Sequence, residues 1–400
     1  MWRRDLRKKP ELRSPYENFY TQCSWGIMRI LELFSGAGGF TALLNRSVYK
    51  KASAVDIDAG ASHVYALNNP GTDVFTEDIT TISDFRLIIR KTADIIVAGP
   101  PCQGFSPVGM KTKRRLRELK GYDPETDPRN LLPLEVSRAA RQLRPEIVLM
   151  ENVPAMRNHV IKVGGNRETV SEMFRAEMED IGYQVIGPVV VDSSWIGVAE
   201  RRPRLFLLAS KKGDLDRNSA ERLIRENKAS RSVGDVINDL LSIPVSVSSE
   251  IPVVFPDHVG RLPNSDDLRV IRALRQGETY SSVVKRDPSV IAGRSHKVYG
   301  TSSFADKFYR LKWDEPSKTI TAHLSKDGNS FIHPLLDRSI SVREAARVHG
   351  FPDSFKFGIP KTIAYRLIGN SVSPPVGAML INYAAGVYED PYVSAVPLSG

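Results

Sequence analysis

From residue 28 onward, apolar runs alternate along the chain with segments of helical periodicity. The runs MRILELF and ASAVDID resemble strands, and DIIVAG (94–99) and PEIVLM (145–150) are continuously apolar, which is typical of strands buried on both faces. Helices are predicted for FTALLNRSVY and AGASHVYALN and by apolar positions at helical spacing, namely Leu132, Val136, Ala140 and Leu143, then Val170, Phe174 and Met178. This alternation predicts an α/β fold with βαβ units on a parallel sheet.

The pattern weakens after RLFLLAS (204–210), where Ser, Asp, Arg, Lys, Pro and Gly dominate up to about residue 335. Helical periodicity returns in RSISVREAARVHGFPD, which Gly350 and Pro352 close, and again near residues 375–386. We therefore predict a main unit formed by residues 28–210 and 338–395, a second, smaller domain at 211–337, and a basic N-terminal arm at 1–27.

Composition agrees with a folded chain, because 41% of the 400 residues are hydrophobic and 26% are charged. The net charge of +10 favours a polyanionic partner such as nucleic acid, although many basic enzymes bind none. The two cysteines and seven histidines show no clustered spacing, so we expect neither a disulfide nor a metal site. We find no apolar run long enough for a signal peptide or membrane span, so we expect a cytoplasmic protein without membrane contact.

Candidate ligand-binding residues follow the predicted strands. The turn SGAGG comes after the first strand and allows a ligand to approach the backbone, although the full GxGxxG pattern is absent. Asp56, Asp58 and Asp78 lie at the ends of the next two strands, where carboxylates can hold ribose hydroxyls. They indicate a nucleoside-bearing cofactor without a pyrophosphate, and helix N-capping is the alternative.

Candidate catalytic residues also come after predicted strands. Cys102 lies in AGPPCQGFSP, at a position suited to a nucleophile, although most protein cysteines are inert. Glu151 follows PEIVLM and can protonate or hydrogen-bond a substrate ring, or cap the next segment. Arg202 and Arg204 are the candidates for activating the thiol.

Basic residues cluster in RRLRELK (114–120) and near 285–297. Both clusters are candidates for phosphate or base contacts, and a solvated surface is the alternative for each.

Together these motifs resemble the DNA cytosine-5 methyltransferase family, in order, over residues 28–385. The resemblance is carried by LELFSGAGGF, AVDIDAGA, EDI, GPPCQGFS, MENV, GVAERRPR, SVREAARVHGFPD and IGNSVSPP. It implies a Rossmann-like sheet that uses S-adenosylmethionine, with residues 211–337 as a target-recognition domain. It also implies double-stranded DNA as partner, a nucleoid-associated enzyme of the bacterial restriction-modification or phage-defence type, and leaves a cognate nuclease and the oligomeric state open.

The resemblance also implies roles for the catalytic candidates. Cys102 would add to carbon 6 of a cytosine flipped out of the duplex, and Glu151 would contact ring N3 and the exocyclic amine. Arg202 and Arg204 would hold the cytosine carbonyl oxygen and the surroundings of the thiolate.

For the cofactor, the resemblance implies contacts along most of the chain. The residues implied are Phe34, Ala37, Gly39, Asp56, Ile57, Asp78, Ile79, Pro101, Leu132, Asn370, Ser371 and Val372.

The sequence departs from the family pattern at three positions. Asp56 replaces glutamate, Ala199 replaces proline and Glu200 replaces glutamine. We expect Glu200 to pair with a neighbouring arginine and to place a negative charge near the DNA side.

Three other functions compete with DNA methylation. A transfer RNA cytosine-5 methyltransferase would share these motifs, but the long recognition region favours DNA. A catalytically inactive DNA-binding homologue is disfavoured because Cys102 and Glu151 are both present. A nicotinamide oxidoreductase is disfavoured by the missing third glycine.

Overall fold

A computed structural model describes residues 26–89, 92–101, 124–163, 165–213, 215–218, 220, 230–247, 253–291, 307–326 and 328–387. The predictions for the N-terminal arm up to residue 25, Cys102, the basic stretch 114–120 and residues 292–297 lie outside these ranges.

The described strands are β1 (Met28–Leu33), β2 (Tyr49–Asp56), β3 (Asp73–Thr76), β4 (Ile95–Ala98), β5 (Ile147–Asn152), β6 (Val160–Val163), β7 (Asn166–Thr169), β8 (Gln184–Asp192), β9 (Glu200–Arg201), β10 (Pro203–Ser210) and β11 (Ser317–Lys318). The described α-helices are α1 (Ala59–Asn68), α2 (Leu134–Leu143), α3 (Val170–Asp180), α4 (Val233–Ile237), α5 (Ser265–Ala273), α6 (Tyr280–Arg286), α7 (Val342–His349), α8 (Lys361–Asn370) and α9 (Pro374–Ala385).

The main sheet of the described chain has seven strands in the order β3-β2-β1-β4-β5-β10-β8. Strands β1 to β5 within it run parallel, and β10 pairs antiparallel with both β5 and β8. The order reverses at β1 and β4, so the chain crosses from one half of the sheet to the other there. Open α/β sheets bind ligands at this reversal, beyond the carboxyl ends of the strands. The predicted α/β fold is confirmed.

Both faces of the sheet are buried, which explains why its central strands are continuously apolar. Along β4, Ile95 and Val97 pack in one hydrophobic cluster, whereas Ile96 and Ala98 pack in another on the opposite face. The first cluster is covered by α9 and the second by α2 and α3.

The helix predicted for FTALLNRSVY is wrong. The structure has a single 3-10 turn at Gly39–Thr41, followed by turns up to β2. Asn45 ends any helical path because its side chain accepts hydrogen bonds from the backbone N–H of Ser47 at 3.0 Å and from the Ser47 hydroxyl at 2.8 Å. The apolar residues of this segment instead fill the first cluster, where Phe40 packs edge-on against Phe206.

A third hydrophobic cluster crosses the predicted domain boundary. It joins residues of α1, α7 and α8 with Val233 and Ile237 of α4 and with the apolar residues of 311–340. A separate, smaller cluster holds α5 and α6 together with Phe308 and Ile332. The boundaries at 211 and 337 stay predictions, but parts of the region between them share a core with the helices that follow.

Among the described residues, every helix is too short or too polar to span a lipid bilayer.

Candidate active site

A cavity of about 610 Å³ opens at the carboxyl ends of β1 to β5. Each of these strands contributes to its wall through the residues at or just beyond its last position. The predicted site residues that line it are Phe34, Asp56, Ile57, Asp78, Ile79, Pro101, Leu132, Glu151, Arg202, Arg204 and Asn370. The arrangement brings together residues that are up to 336 positions apart, since Phe34 and Asn370 share one wall (370 minus 34).

Four predicted residues are not part of the cavity wall: Ala37, Gly39, Ser371 and Val372. Ala37 is buried in the third cluster. A Cβ atom on Gly39 would lie 2.5 Å from the carbonyl oxygen of Val372, so the glycine turn and the C-terminal segment touch backbone to backbone. In this structure Ala37, Gly39, Ser371 and Val372 pack next to the residues that line the cavity. Their contacts with a cofactor stay predictions.

Cys102 itself lies outside the described residues, but the chain that leads to it does not. Gly99, Pro100 and Pro101 line the cavity immediately before it. The side-chain amide of Asn152 donates to the carbonyl oxygen of Pro100 at 3.2 Å, and its oxygen accepts from Val153 N–H at 2.8 Å. Asn152 was not predicted as a site residue, although it stands beside Glu151 in MENV. Its hydrogen bond connects Pro100, two residues before Cys102, to the end of β5.

The acid at the end of β2 organises the glycine turn. Asp56 accepts hydrogen bonds from the backbone N–H groups of Gly36 at 2.7 Å and Asp58 at 2.8 Å. Burial raises the pKa of Asp56, and these two hydrogen bonds oppose that shift. Gly36 has φ +54, a left-handed conformation that favours glycine. The carboxylate therefore fixes the turn and faces the cavity at the same time.

Asp58 and Asp78 each cap a helical turn, which is the role that was given above as the alternative to ligand binding. Asp58 accepts from Ala61 N–H at 3.0 Å at the start of α1 and forms an ion pair with Arg366. Asp78 accepts from Thr80 N–H at 2.9 Å and from its hydroxyl at 2.8 Å, which lowers the pKa of Asp78. Both side chains still line the cavity, so capping and ligand contact are compatible here.

Glu151 and Arg204 form an ion pair inside the cavity, with 2.9 Å between Oε1 and Nε. Burial raises the pKa of Glu151, although Arg204 and Arg202 both act to lower it. A carboxyl group that is buried, raised in pKa and held by an arginine is a candidate for general acid–base catalysis.

Arg202 is placed differently from what its proposed contact with a cytosine oxygen suggests. Its guanidinium donates to the backbone carbonyls of Ile320 at 2.8 Å, Gly369 at 2.8 Å and Ser371 at 2.9 Å, and the residue is 2% exposed. In this structure its hydrogen bonds hold the walls of the cavity together. A direct contact with the base stays a prediction.

The expectation for Glu200 is confirmed in one respect and wrong in the other. Glu200 does pair with an arginine, because its Oε1 lies 3.6 Å from Nη1 of Arg202. It does not place a charge on the DNA side, since its side chain is fully buried beneath the cavity against His349. Strand β9 pairs with β11, and this pairing turns the side chain inward.

Several wall residues were missed by sequence reasoning, chiefly Glu77, Thr80, Arg129, Arg366, Leu367 and Gly369. Three of them belong to α8: Arg366 and Leu367 precede the motif IGNSVSPP, whereas Gly369 lies inside it, beside the predicted Asn370. In the described part of the chain, no three His, Cys, Asp or Glu side chains are grouped as a metal site.

Comparison with known proteins adds a family to this geometry. Residues 28–384 match the model of the family described as C-5 cytosine-specific DNA methylase. The chain is 27% identical over 395 residues to the type II methyltransferase M.DdeI of Desulfomicrobium norvegicum, covering 91% of this chain and 90% of that one. It is 28% identical to the type II methyltransferase M.Eco47II of Escherichia coli, covering 88% and 77%.

A solved structure shares the fold. It is described as a candidate DNA modification methyltransferase encoded within an Escherichia coli prophage, and it superposes with a TM-score of 0.64 at 24% identity. The match covers 90% of this chain and 98% of that one.

Proposed function

The chain belongs to the C-5 cytosine-specific DNA methylase family and methylates carbon 5 of cytosine in DNA, and we propose that the cavity at the strand ends takes S-adenosylmethionine and an extruded cytosine side by side. The observation that carries this proposal is that two chemically different sets of residues line this one cavity. One part is acidic and apolar, and the other holds the Glu151–Arg204 ion pair.

The residues on the first part of the wall fit the cofactor. Ile57 is 70% exposed and Phe34 and Leu132 also line the cavity, so a flat apolar surface faces the space where an adenine would stack. Asp56 and Asp78 add carboxylates that can accept hydrogen bonds from ribose hydroxyls and an amine. When bound, S-adenosylmethionine supplies an electrophilic methyl group.

The residues on the second part act on the base. We assign Cys102 as the nucleophile that adds to carbon 6, since Pro101, its neighbour, lines the wall close to the described end of this loop. Glu151 would stabilise the negative charge that develops on the ring by a proton or hydrogen bond at N3, and its raised pKa favours that role. Arg204 holds the Glu151 carboxyl in place. Once carbon 5 carries the methyl group, a base would take its proton, and the electron pair of that C–H bond would re-form the C5–C6 double bond and release the Cys102 thiolate.

Base extrusion follows from where Glu151 lies. Glu151 is 9% exposed and lies in the wall of the cavity, which supports a route in which the target base leaves the duplex and enters the cavity. Because the relatives are type II methyltransferases, we propose that this chain protects DNA in a restriction-modification system, with a cognate nuclease as partner.

The first test uses the cysteine. We expect Cys102→Ser to lose methyl transfer to duplex DNA while it keeps DNA binding, and we expect the wild type to be trapped covalently by duplex DNA that carries 5-fluorocytosine, because fluorine cannot leave as a proton does. Transfer of labelled methyl groups and a denaturing gel measure both results.

Bisulfite sequencing of DNA from a host that expresses the chain would supply the target site for these substrates. Wild-type turnover by the serine variant would overturn the nucleophile assignment, and faster transfer to transfer RNA than to duplex DNA would overturn the proposed duplex substrate.

A further inference from the structure

The side chain of Glu200 makes close contacts in three directions although the resemblance gives it no role. Its Oε1 accepts from the backbone N–H of Ile320 at 2.5 Å and lies 3.6 Å from Nη1 of Arg202. Its Oε2 lies 2.6 Å from Nδ1 of His349. The side chain is fully buried, so these contacts are made without competing water.

His349 extends this set of contacts from the end of α7 toward the end of α8. Its ring is fully buried and stacks on Phe351 with 5.7 Å between centroids. Its Nε2 lies 3.2 Å from the carbonyl oxygen of Ser371, and Arg202 donates to the same oxygen. The imidazole and the guanidinium therefore hold Ser371 from two directions, and both of them contact Glu200.

The backbone at residues 369–371, which His349 and Arg202 contact, is also closely packed against the 321–322 peptide. Gly369 approaches the 321–322 peptide so closely that a Cβ atom there would lie 2.2 Å from Ala322 N and 2.3 Å from Thr321 C. Arg202 donates to the carbonyls on both sides of this contact, at Ile320 and Gly369. Arg202, which directly follows β9, thus links β9 to Ile320 and to the segment 369–371 by direct hydrogen bonds.

The charges of the network balance in part. Burial raises the pKa of Glu200, but His349, Arg202 and the Ile320 N–H outweigh it and hold the pKa below its ordinary value. The guanidinium of Arg202 does not depend on Glu200 alone, because three backbone carbonyls also accept hydrogen bonds from it.

We propose that Glu200 and His349 are positioning residues. With Arg202 they form a buried brace that fixes the distance between the base side of the cavity, at Arg204 and Glu151, and the cofactor side, at residues 369–371. The names of the two sides depend on the proposed function, whereas the brace itself consists of contacts within the chain.

The brace predicts that the length of the side chain at position 200 matters more than its charge. Glutamine has the same length as glutamate, can accept from Ile320 N–H and can donate to His349, whose Nε2–H would then donate to Ser371. Aspartate keeps the charge but is one methylene shorter, so it cannot span the distance from β9 to both partners.

The experiment compares Glu200→Asp and Glu200→Gln with the wild type in the full chain. For Glu200→Asp we expect kcat for DNA methylation to fall about tenfold or more, because small misplacements of reacting groups are costly. We also expect several-fold weaker binding of S-adenosylhomocysteine by calorimetry and faster hydrogen exchange in peptides that span residues 366–373. Glu200→Gln should stay within about threefold of the wild type in each measurement.

A matched control is Tyr49→Phe, which removes another buried hydrogen bond, from the Tyr49 hydroxyl to Asn382 at 2.8 Å, far from the cavity wall. It should lower the melting temperature without changing exchange at 366–373. The brace is overturned if Glu200→Asp behaves as wild type, if Glu200→Gln is the more impaired variant, or if exchange rises evenly over the whole chain. Hydrogen exchange needs no methyl transfer, so a wild type that fails to methylate DNA would contradict the proposed function and leave the brace measurable.

Discussion

Glu32 is a buried carboxyl group directly behind the glycine turn. It is the last residue but one of β1, and it accepts hydrogen bonds from the Thr41 hydroxyl at 2.7 Å and the Tyr65 hydroxyl at 3.0 Å. Burial raises the pKa of Glu32 to about 7, against the opposing effects of Lys51, Thr41 and Tyr65. The ring of Tyr65 in turn packs against Gly38, where a Cβ atom would lie 2.9 Å from it. Glu32 is thus connected to the glycine turn through Tyr65.

The sign of the pH effect follows from the direction of this shift. The folded chain holds a proton on Glu32 that the unfolded chain releases above pH 4.5, so the stability contributed by Glu32 is lost as the pH rises toward 7. Glu32→Gln retains an acceptor for both hydroxyls and does not titrate. Relative to the wild type, we expect its free energy of unfolding to increase by about 2 kcal/mol between pH 5 and pH 7.

Urea unfolding of both proteins at the two pH values measures this difference. It includes the response of Lys51, because burial lowers the pKa of Lys51 to about 8 and the Glu32 carboxylate acts to raise it. A constant difference between pH 5 and pH 7 would show that Glu32 does not take up a proton on folding.

At the scale of elements, the C-terminal helix returns to the first turn of the chain through two close backbone approaches. A Cβ atom on Gly377 of α9 would lie 2.3 Å from the carbonyl oxygen of Phe40, and one on Gly39 would lie 2.5 Å from that of Val372. Glycine is needed at both positions because the contact is with backbone, which cannot rotate away as a side chain can. Helix α9 is therefore seated on the turn that shapes the cavity.

This contact predicts an unusual outcome for an alanine in a helix. Alanine normally stabilises a helix interior relative to glycine by about 1 kcal/mol. We expect Gly377→Ala instead to lower the free energy of unfolding by about 1–3 kcal/mol, because overpacking outweighs the propensity. Chemical denaturation measures the change. Gly26→Ala is the control, since nothing lies within 4 Å of its Cβ position, and equal stabilities of the two variants would contradict the close approach.

The elements that sequence predicted best are those whose pattern is determined locally. Strand β4 and the first four residues of β5 are continuously apolar, β1 is mostly apolar, and α2 and α3 bury residues at helical spacing, so their existence was evident. The helix predicted at 40–49 failed because the same apolar residues serve a turn packed under α9. Strand β8 was not identified, and it contains Pro188, a residue that normally argues against a strand.

Across the whole molecule, the site was predictable where a residue follows its own strand and not where a partner comes from a distant segment. Asp56 and Glu151 lie at strand ends that the sequence marks. Arg366 lies in the cavity wall although it belongs to no motif, and α8, which carries it, packs on the 321–322 backbone, a contact that no local pattern encodes. The burial of Glu200 depends likewise on the pairing of β9 with β11, 117 positions further along (317 minus 200).

The net charge of +10 belongs to the whole chain and predicts how DNA binding responds to salt. Binding to the phosphate backbone releases counterions, so we expect affinity for duplex DNA to fall by about tenfold or more between 50 and 200 mM salt. Fluorescence anisotropy over a salt series measures the slope. Binding of S-adenosylhomocysteine is the internal control and should change little. A DNA affinity that is independent of salt would mean that the excess basic residues do not face the phosphates.

The third hydrophobic cluster limits how much of residues 211–337, the region predicted to recognise the DNA target, can be exchanged in a chimera. Replacing all of residues 211–337 would remove Val233, Ile237 and Ile320, which pack in this cluster with α7 and α8. It would also remove the Ile320 carbonyl that accepts from Arg202, and so weaken the support of the segment 369–371. Junctions placed inside this interval, so that α4 and the stretch 308–332 stay with the host protein, would exchange α5 and α6 while leaving that support intact. The segment that can be exchanged without disturbing this cluster is therefore shorter than the interval 211–337 that sequence composition indicates.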